Sequence, residues 1–204
     1  MMPEIDLKQS GNSMELRVIR RLDEAIKNMV DRVSISDRRA EAYYRGHYPY
    51  IPLNNATFQA LLGKAKQHIK IKSKHRPRFL DIGCGIGTKV LIASEMGFNA
   101  SGLEYDKVYY QWAKQITLEK CTKGNALEYT KYGEFDCLYF YCPLADEMGQ
   151  LALEERIAEQ MRPGAVLIAV HGKNGTRSWK KMGLELLDSV VSECQGLILR
   201  KEEK

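Results

Sequence analysis

The residues best suited to chemistry form a glycine-rich turn that follows an acidic side chain. Asp81 lies in an apolar run, and Gly83, Gly85 and Gly87 come after it at alternate positions. Glycines at this spacing let the backbone turn sharply and approach a ligand closely, because no Cβ intrudes. A helix is predicted directly after the turn, and its first N–H groups would point at whatever is bound. The pattern therefore predicts a strand, a turn and a helix that together bind a small molecule.

The position of the third glycine separates two classes of ligand. The dinucleotide fingerprint G-x-G-x-x-G would require glycine where this chain has Thr88. A pyrophosphate needs N–H donors and positive charge, whereas S-adenosylmethionine (SAM) presents an ammonium, a sulfonium and a single carboxylate. An acidic residue beside the turn suits SAM better. The pattern Asp81-x-Gly83-x-Gly85-x-Gly87 resembles motif I of the class I SAM-dependent methyltransferases.

Further segments resemble the same family in the expected order, from residue 78 to about residue 170. A second strand over residues 99–103 is predicted to end at Glu104. The resemblance implies that Glu104 accepts hydrogen bonds from the two ribose hydroxyls, that Tyr105 lies near the adenine, and that Asn125 faces the adenine amino group where the family has an acidic residue. An ordinary turn is the alternative interpretation of the segment around Asn125. The implied SAM ligands are Asp81, Gly83, Cys84, Gly85, Gly87, Thr88, Glu104, Tyr105, Asn125, Ala126 and Tyr141.

Two downstream apolar runs, residues 135–144 and 161–170, are predicted to contain the fourth and fifth strands. The resemblance puts the end of the fourth strand beside the SAM sulfur, since open α/β sheets bind ligands at that edge. Methyl transfer is an in-line displacement, which needs a general base only when the acceptor arrives protonated. The candidates for that catalytic role are Tyr141, His171 and Tyr50, and the sequence does not decide among them.

Several alternative functions compete with methyl transfer. Cys142 suggests a nucleophilic thiol, but the Pro-Cys order of cytosine-5 methylation is reversed here to Cys142-Pro143. Amino methylation of bases is disfavoured, because residues 141–144 lack the polar first residue and the second proline of [DNS]-P-P-[FY]. An NAD-dependent oxidoreductase would share the need for Glu104 but not the glycine spacing. A SAM-binding regulator without catalysis stays open.

The order of elements predicts an α/β fold: a doubly wound, mostly parallel seven-stranded sheet of the Rossmann-like methyltransferase type, with an N-terminal helical cap. Residues 1–77 are predicted to form the cap over the substrate, and residues 78–204 the SAM-binding domain. Helices are expected over residues 15–33, over residues 37–44, and from Asn54 or Asn55 onward. Residues 184–191 and 196–200 are predicted as a closing antiparallel pair, with at most one short helix before them.

Charge is divided unevenly between these two segments. Residues 1–77 hold 15 Lys and Arg against 8 Asp and Glu, a balance of +7, whereas residues 78–204 hold 16 against 18. A basic cap favours an acidic partner, such as RNA, DNA, an acidic protein or anionic lipid. Arg38, Arg39 and Arg45 stand among tyrosines, as on nucleic-acid surfaces, although a solvated helix face is the simpler interpretation. An RNA methyltransferase is therefore an alternative to a protein side chain or a small molecule as acceptor.

Residues 48–52, Tyr-Pro-Tyr-Ile-Pro, are similar to a segment of the seven-strand protein-lysine methyltransferases, where it would fold over SAM. The remaining composition indicates a cytoplasmic protein. The chain has 204 residues, no apolar run of the length needed to span a membrane, and no basic-then-apolar leader. Its five cysteines include no C-x-x-C pair, which predicts free thiols and no metal site.

Overall fold

The computed structural model describes residues 53–70, 75–171, 178–191 and 194–203. These residues contain seven strands: β1 (Arg78–Ile82), β2 (Asn99–Glu104), β3 (Cys121–Lys123), β4 (Cys137–Tyr141), β5 (Val166–His171), β6 (Leu184–Val191) and β7 (Gln195–Lys201). They form one sheet in the order β3-β2-β1-β4-β5-β7-β6. The first five strands are parallel, and β7 runs antiparallel to both β5 and β6. The predicted seven-stranded, mostly parallel sheet and its closing antiparallel pair are confirmed.

The described helices are α1 (Asn55–His68), α2 (Thr88–Glu95), α3 (Lys107–Ile116) and α4 (Glu147–Gln160), with short 3-10 turns at Tyr132–Glu134 and Trp179–Met182. The sequence patterns predicted α1 and α2 but did not single out α3 and α4. Asp106 and Asp146 cap these two helices by accepting hydrogen bonds from backbone N–H groups of their first turns. An Asp before a helical stretch is thus the signal that could have located both.

The two faces of the sheet bury different sets of side chains. Successive residues of a strand point to opposite faces, so Phe79 of β1 joins one apolar cluster while Leu80 joins the other. On the first face α1 contributes Phe58, whose ring centroid lies 4.9 Å from that of Tyr139 on β4. On the second face α4 contributes the fully buried Leu153. Helices on both faces leave the edge at the ends of the parallel strands as the place for a ligand.

Much of the predicted N-terminal cap lies outside the described residues. This holds for the predicted helices over residues 15–33 and 37–44, for the basic cluster and for Tyr50. The division into residues 1–77 and 78–204 stays a prediction. Within the first of these segments, α1 packs its apolar face against the sheet and so forms part of the core. No helix among the described residues is long and apolar enough to cross a membrane.

Candidate functional site

The glycine turn between β1 and α2 has the geometry that only glycine adopts without strain. Gly83, Gly85 and Gly87 have φ angles of 77°, 55° and 85°. A Cβ on Gly83 would lie 2.8 Å from the Cβ of Pro143, and a Cβ on Gly87 would lie 2.5 Å from Cγ2 of Thr117. The glycines therefore permit both the backbone path and the close packing of neighbouring segments around it.

The side chain of Glu104, at the end of β2, forms a hydrogen bond with the backbone of this turn. One carboxylate oxygen, Oε2, accepts a hydrogen bond from the N–H of Gly85 at 2.7 Å, and Oε1 accepts one from the N–H of Asp106, also at 2.7 Å. The side chain is buried, and burial raises the pKa of Glu104 to about 7, while these backbone hydrogen bonds act to lower it. The two sequence motifs, far apart in the chain, thus meet in one place.

Asp81 is a second buried carboxyl group beside the turn. It is 2% exposed, and its Oδ2 atom has no hydrogen-bond partner among the described residues. Burial raises the pKa of Asp81 well above its usual range; Cys121 and Glu104 add to the rise, and Lys89 opposes it. A buried polar atom without a donor is costly. A ligand that brings a cation or a hydroxyl donor to this edge would remove that cost.

Lys89 is a buried cation that the sequence patterns did not single out. It lies in the first turn of α2, and its Nζ donates to the carbonyl oxygen of Leu53 and to Oδ1 of Asn55. The same Nζ lies 5.7 Å from the centroid of the Phe58 ring. These contacts connect the start of α1 to α2, the helix that follows the glycine turn. The signal available in the sequence was a lysine directly before the apolar run Val90-Leu91-Ile92-Ala93.

Cys84 lies within the turn, but its side chain faces the core. Its Sγ lies 3.7 Å from Sγ of Cys121 on β3, and the two sulfurs pack where a Cβ on Gly102 of β2 would otherwise stand. The hydrogen bond with Cys121, together with burial, raises the pKa of the Cys84 thiol well above its usual range. The predicted contact of Cys84 with SAM would therefore come from its backbone.

The other predicted cofactor residues lie after neighbouring strands at the same edge of the sheet. Thr88 is buried at the start of α2, and Tyr105 is exposed after β2. After β3, the side chain of Asn125 accepts a hydrogen bond from the N–H of Leu127 at 3.0 Å and donates one to Glu128 at 3.1 Å. Asn125 thus closes a local turn, and its contact with an adenine stays a prediction.

Tyr141 and His171 end the adjacent strands β4 and β5, so the structure brings these two catalytic candidates to the same part of the edge. Tyr141 is partly buried and packs against the first apolar cluster, and His171 is buried. Cys142, the residue after β4, places its Sγ 3.4 Å from Nδ1 of His171. Behind the histidine lies Glu154 of α4, which is fully buried and was not singled out from the sequence.

No protein-family model and no curated protein sequence matches the chain. Solved structures match its fold. An RNA methyltransferase from Salinibacter ruber, in complex with S-adenosyl-L-homocysteine, is 19% identical with a TM-score of 0.58, over 76% of this chain and 95% of that one. A TehB-like SAM-dependent methyltransferase from Corynebacterium glutamicum is 17% identical with a TM-score of 0.54, over 72% and 88%. The mitomycin 7-O-methyltransferase MmcR is 15% identical with a TM-score of 0.53, over 72% and 54%. This chain has the fold of the class I SAM-dependent methyltransferases.

Proposed function

We propose that this chain binds SAM at the edge formed by the ends of β1, β2 and β3, and transfers its methyl group to an acceptor held beside β4 and β5. The observation that carries the proposal is the pair of buried carboxyl groups, Asp81 and Glu104, on either side of the glycine turn. SAM would supply an activated methyl group. Its ammonium and its ribose hydroxyls would donate hydrogen bonds to these two carboxyl groups.

Asp81 argues against a dinucleotide, whereas an acidic residue at the position of Glu104 is common to SAM and NAD sites. A pyrophosphate at the turn would bring negative charge toward the buried carboxyl group of Asp81. Like charges a few ångströms apart repel by roughly 4 kcal/mol at the effective dielectric of a protein surface. Burial already raises the pKa of both Asp81 and Glu104, so a further anion would have to be accommodated by keeping them protonated. An NAD-dependent oxidoreductase is therefore the weaker proposal.

Glu104 has acceptor capacity left for the ribose. A carboxylate offers about four lone-pair positions, and the N–H groups of Gly85 and Asp106 use two of them. Those two bonds also set the orientation of the carboxylate before any ligand arrives. In this proposal the remaining positions accept the ribose hydroxyls, and the exposed ring of Tyr105, next in the chain, lies against the adenine.

The contribution of the chain to methyl transfer would be chiefly positional. The parallel strand ends hold the donor and the acceptor in line, and the surrounding side chains exclude water. Tyr141 and His171 are the groups at this edge that would take a proton from a protonated acceptor. The likeness to both an RNA methyltransferase and a mitomycin methyltransferase supports methyl transfer but does not select the acceptor. We propose a protein side chain or a small molecule, with RNA as the second candidate.

Calorimetry with SAM, S-adenosylhomocysteine and NAD tests the cofactor. We expect the first two to bind at one site and NAD to bind much more weakly. Glu104→Ala should weaken SAM binding by about 1.5–3 kcal/mol, the loss expected for hydrogen bonds to a charged group, whereas Glu95→Ala at an exposed position of α2 should not. Binding of NAD without SAM would overturn the proposal.

Labelling a cell extract with SAM that carries a radioactive methyl group tests the acceptor. Fractionation into protein, RNA and small molecules shows where the label goes. The combined change of Arg38, Arg39 and Arg45 to Gln should raise the KM and flatten the salt dependence if the acceptor is RNA, and should leave both unchanged for a small neutral acceptor. SAM binding without labelling of any fraction would favour the alternative of a regulator.

A further inference from the structure

Two buried cysteines from distant parts of the chain meet beside the glycine turn. Cys84 lies in the turn after β1, Cys121 begins β3, and their Sγ atoms are 3.7 Å apart. The two residues come from either side of β2, which lies between β1 and β3 in the sheet. Cys84 is 4% exposed and Cys121 is 5% exposed. The fold thus brings a pair of thiols into contact at the edge of the proposed SAM site.

A glycine of the intervening strand leaves the space in which these sulfurs meet. A Cβ on Gly102 of β2 would lie 2.6 Å from Sγ of Cys84 and 2.7 Å from Sγ of Cys121. Adjacent strands of a sheet are about 4.8 Å apart, so a side chain at this position of β2 would stand between the two thiols. Because residue 102 has none, the sulfurs have a free path toward the separation of about 2 Å that a disulfide requires.

The two thiols differ in their chemical state. Cys84 donates the hydrogen bond that joins the sulfurs, and Cys121 accepts it. This hydrogen bond lowers the pKa of the Cys121 thiol, against the effect of burial, whereas the pKa of the Cys84 thiol is raised. The thiolate is the form of cysteine that attacks an oxidant. Cys121 is therefore the sulfur that reacts first, and Cys84 is the thiol in contact with it.

We propose that Cys84 and Cys121 form a disulfide on reaction with a peroxide, and that this bond lowers the affinity of the site for SAM. In the first step, Sγ of Cys121 bonds to one oxygen of hydrogen peroxide, the O–O bond breaks, and hydroxide leaves with the thiol proton as water. In the second step, Sγ of Cys84 bonds to Sγ of Cys121, the S–O bond breaks, and the second hydroxide leaves with the proton of Cys84 as water. Two thiols are oxidised, and one peroxide is reduced to two waters.

The effect on SAM rests on the proposed function, because Cys84 belongs to the turn that would bind the cofactor. Its N–H donates to the carbonyl oxygen of Leu103 at 3.0 Å, and its own carbonyl oxygen accepts from the N–H of Gly87 at 2.9 Å. The next N–H along the turn, that of Gly85, donates to Glu104. Closing the sulfur separation from 3.7 Å to about 2 Å displaces Cys84 and disturbs these hydrogen bonds. The competing interpretation is a pair of reduced thiols that only pack together.

Peptide mass spectrometry after treatment with hydrogen peroxide tests for the disulfide. Trypsin separates the two cysteines into one peptide of residues 79–89 and one of residues 121–123. The Cys142→Ser variant serves as the starting protein, because Cys142 is partly exposed and would compete for the peroxide. We expect these two peptides to become joined, and to be separate again when the oxidised protein is first treated with dithiothreitol. If Cys121 stays a thiol, or is oxidised without joining Cys84, the proposal is wrong.

Cys194 supplies a matched control, because it is 5% exposed, like Cys121. Added to the starting protein, Cys121→Ser should abolish the joined peptide, whereas Cys194→Ser should leave it unchanged. Cys137 is fully buried, so it should stay a thiol in every folded variant, and its oxidation would report unfolding. If Cys121→Ser does not fold, the presence or absence of the joined peptide in the starting protein still decides.

Calorimetry with S-adenosylhomocysteine tests the effect of the disulfide on the site. We expect the oxidised protein to bind it about tenfold or more weakly than the reduced protein, and dithiothreitol to restore the affinity. Peroxide-treated Cys121→Ser should keep its affinity, which controls for oxidation of methionines. A joined peptide with unchanged affinity would refute the regulation. Failure of the reduced protein to bind S-adenosylhomocysteine would instead refute the proposed function, and the peptide result would stand by itself.

Discussion

Ionisation of Glu104 is expected to make the protein less stable as the pH rises from 5 to 8. Burial raises the pKa of this carboxyl from 4.5 to about 7, even though hydrogen bonds from Asp106 and Gly85 act to lower it. A carboxyl whose pKa is higher in the folded chain binds a proton more tightly there than in the unfolded chain, so protonation favours folding. This contribution to stability is complete below pH 4.5 and is lost as the pH rises through about 7.

The size of the effect follows from those two pKa values. One pKa unit corresponds to 1.36 kcal/mol, so the full contribution is about 3.4 kcal/mol, of which about 2.5 kcal/mol is lost between pH 5 and pH 8. Asp81 acts in the same direction, because burial also raises its pKa. Against an unfolding free energy of about 5–15 kcal/mol for a typical domain, a loss of this size is readily measured.

Urea unfolding of the parent and of Glu104→Gln at several pH values between 5 and 8, at constant ionic strength, checks the prediction. Groups that do not interact with Glu104 titrate equally in both proteins, so the difference in pH dependence reports Glu104 together with its effect on Asp81, whose pKa it helps to raise. The parent should lose about 2.5 kcal/mol more than the variant over this range. The exposed residue Glu128 supplies the matched control, and Glu128→Gln should follow the parent. Equal pH dependence in the parent and in Glu104→Gln would refute the reasoning.

Two further predictions concern backbone conformation. Gly87→Ala should destabilise the fold by about 2–4 kcal/mol, because φ is 85° and the new Cβ would meet Cγ2 of Thr117 at 2.5 Å. Gly63→Ala in α1 should instead stabilise the fold by about 0.5–1 kcal/mol, because nothing lies within 4 Å of the new Cβ. Similar urea midpoints for these two variants would contradict the structure. Cys142→Gly should be about 1 kcal/mol more stable than Cys142→Ala, because both lose the thiol and only alanine keeps a Cβ at a φ of 33°; a less stable glycine variant would show that the corner is unstrained.

The bounds of several elements were predictable from sequence alone. The strand expected over residues 99–103 and ending at Glu104 is β2, and the pair expected over residues 184–191 and 196–200 differs from β6 and β7 by no more than one residue at any end. The helices α3 and α4 were not singled out. The apolar residues Val108, Trp112 and Ile116 of α3 recur at every fourth position, so the periodicity on which such predictions depend was present there and could have located the helix.

What the sequence by itself determined is the order of the strands, the helices α1 and α2, and the glycine turn with the acidic residues Asp81 and Glu104, because alternation, apolar runs and glycine spacing act through neighbouring residues. Tertiary structure alone decided that Glu104 accepts a hydrogen bond from Gly85, that Asp81 is buried without a donor for Oδ2 among the described residues, and that Cys142 lies beside His171. These contacts join residues that are distant in the chain and lie on different strands and helices. The burial of these residues, and the raised pKa values of Asp81 and Glu104, arise only when the strands pair and the helices cover both faces of the sheet.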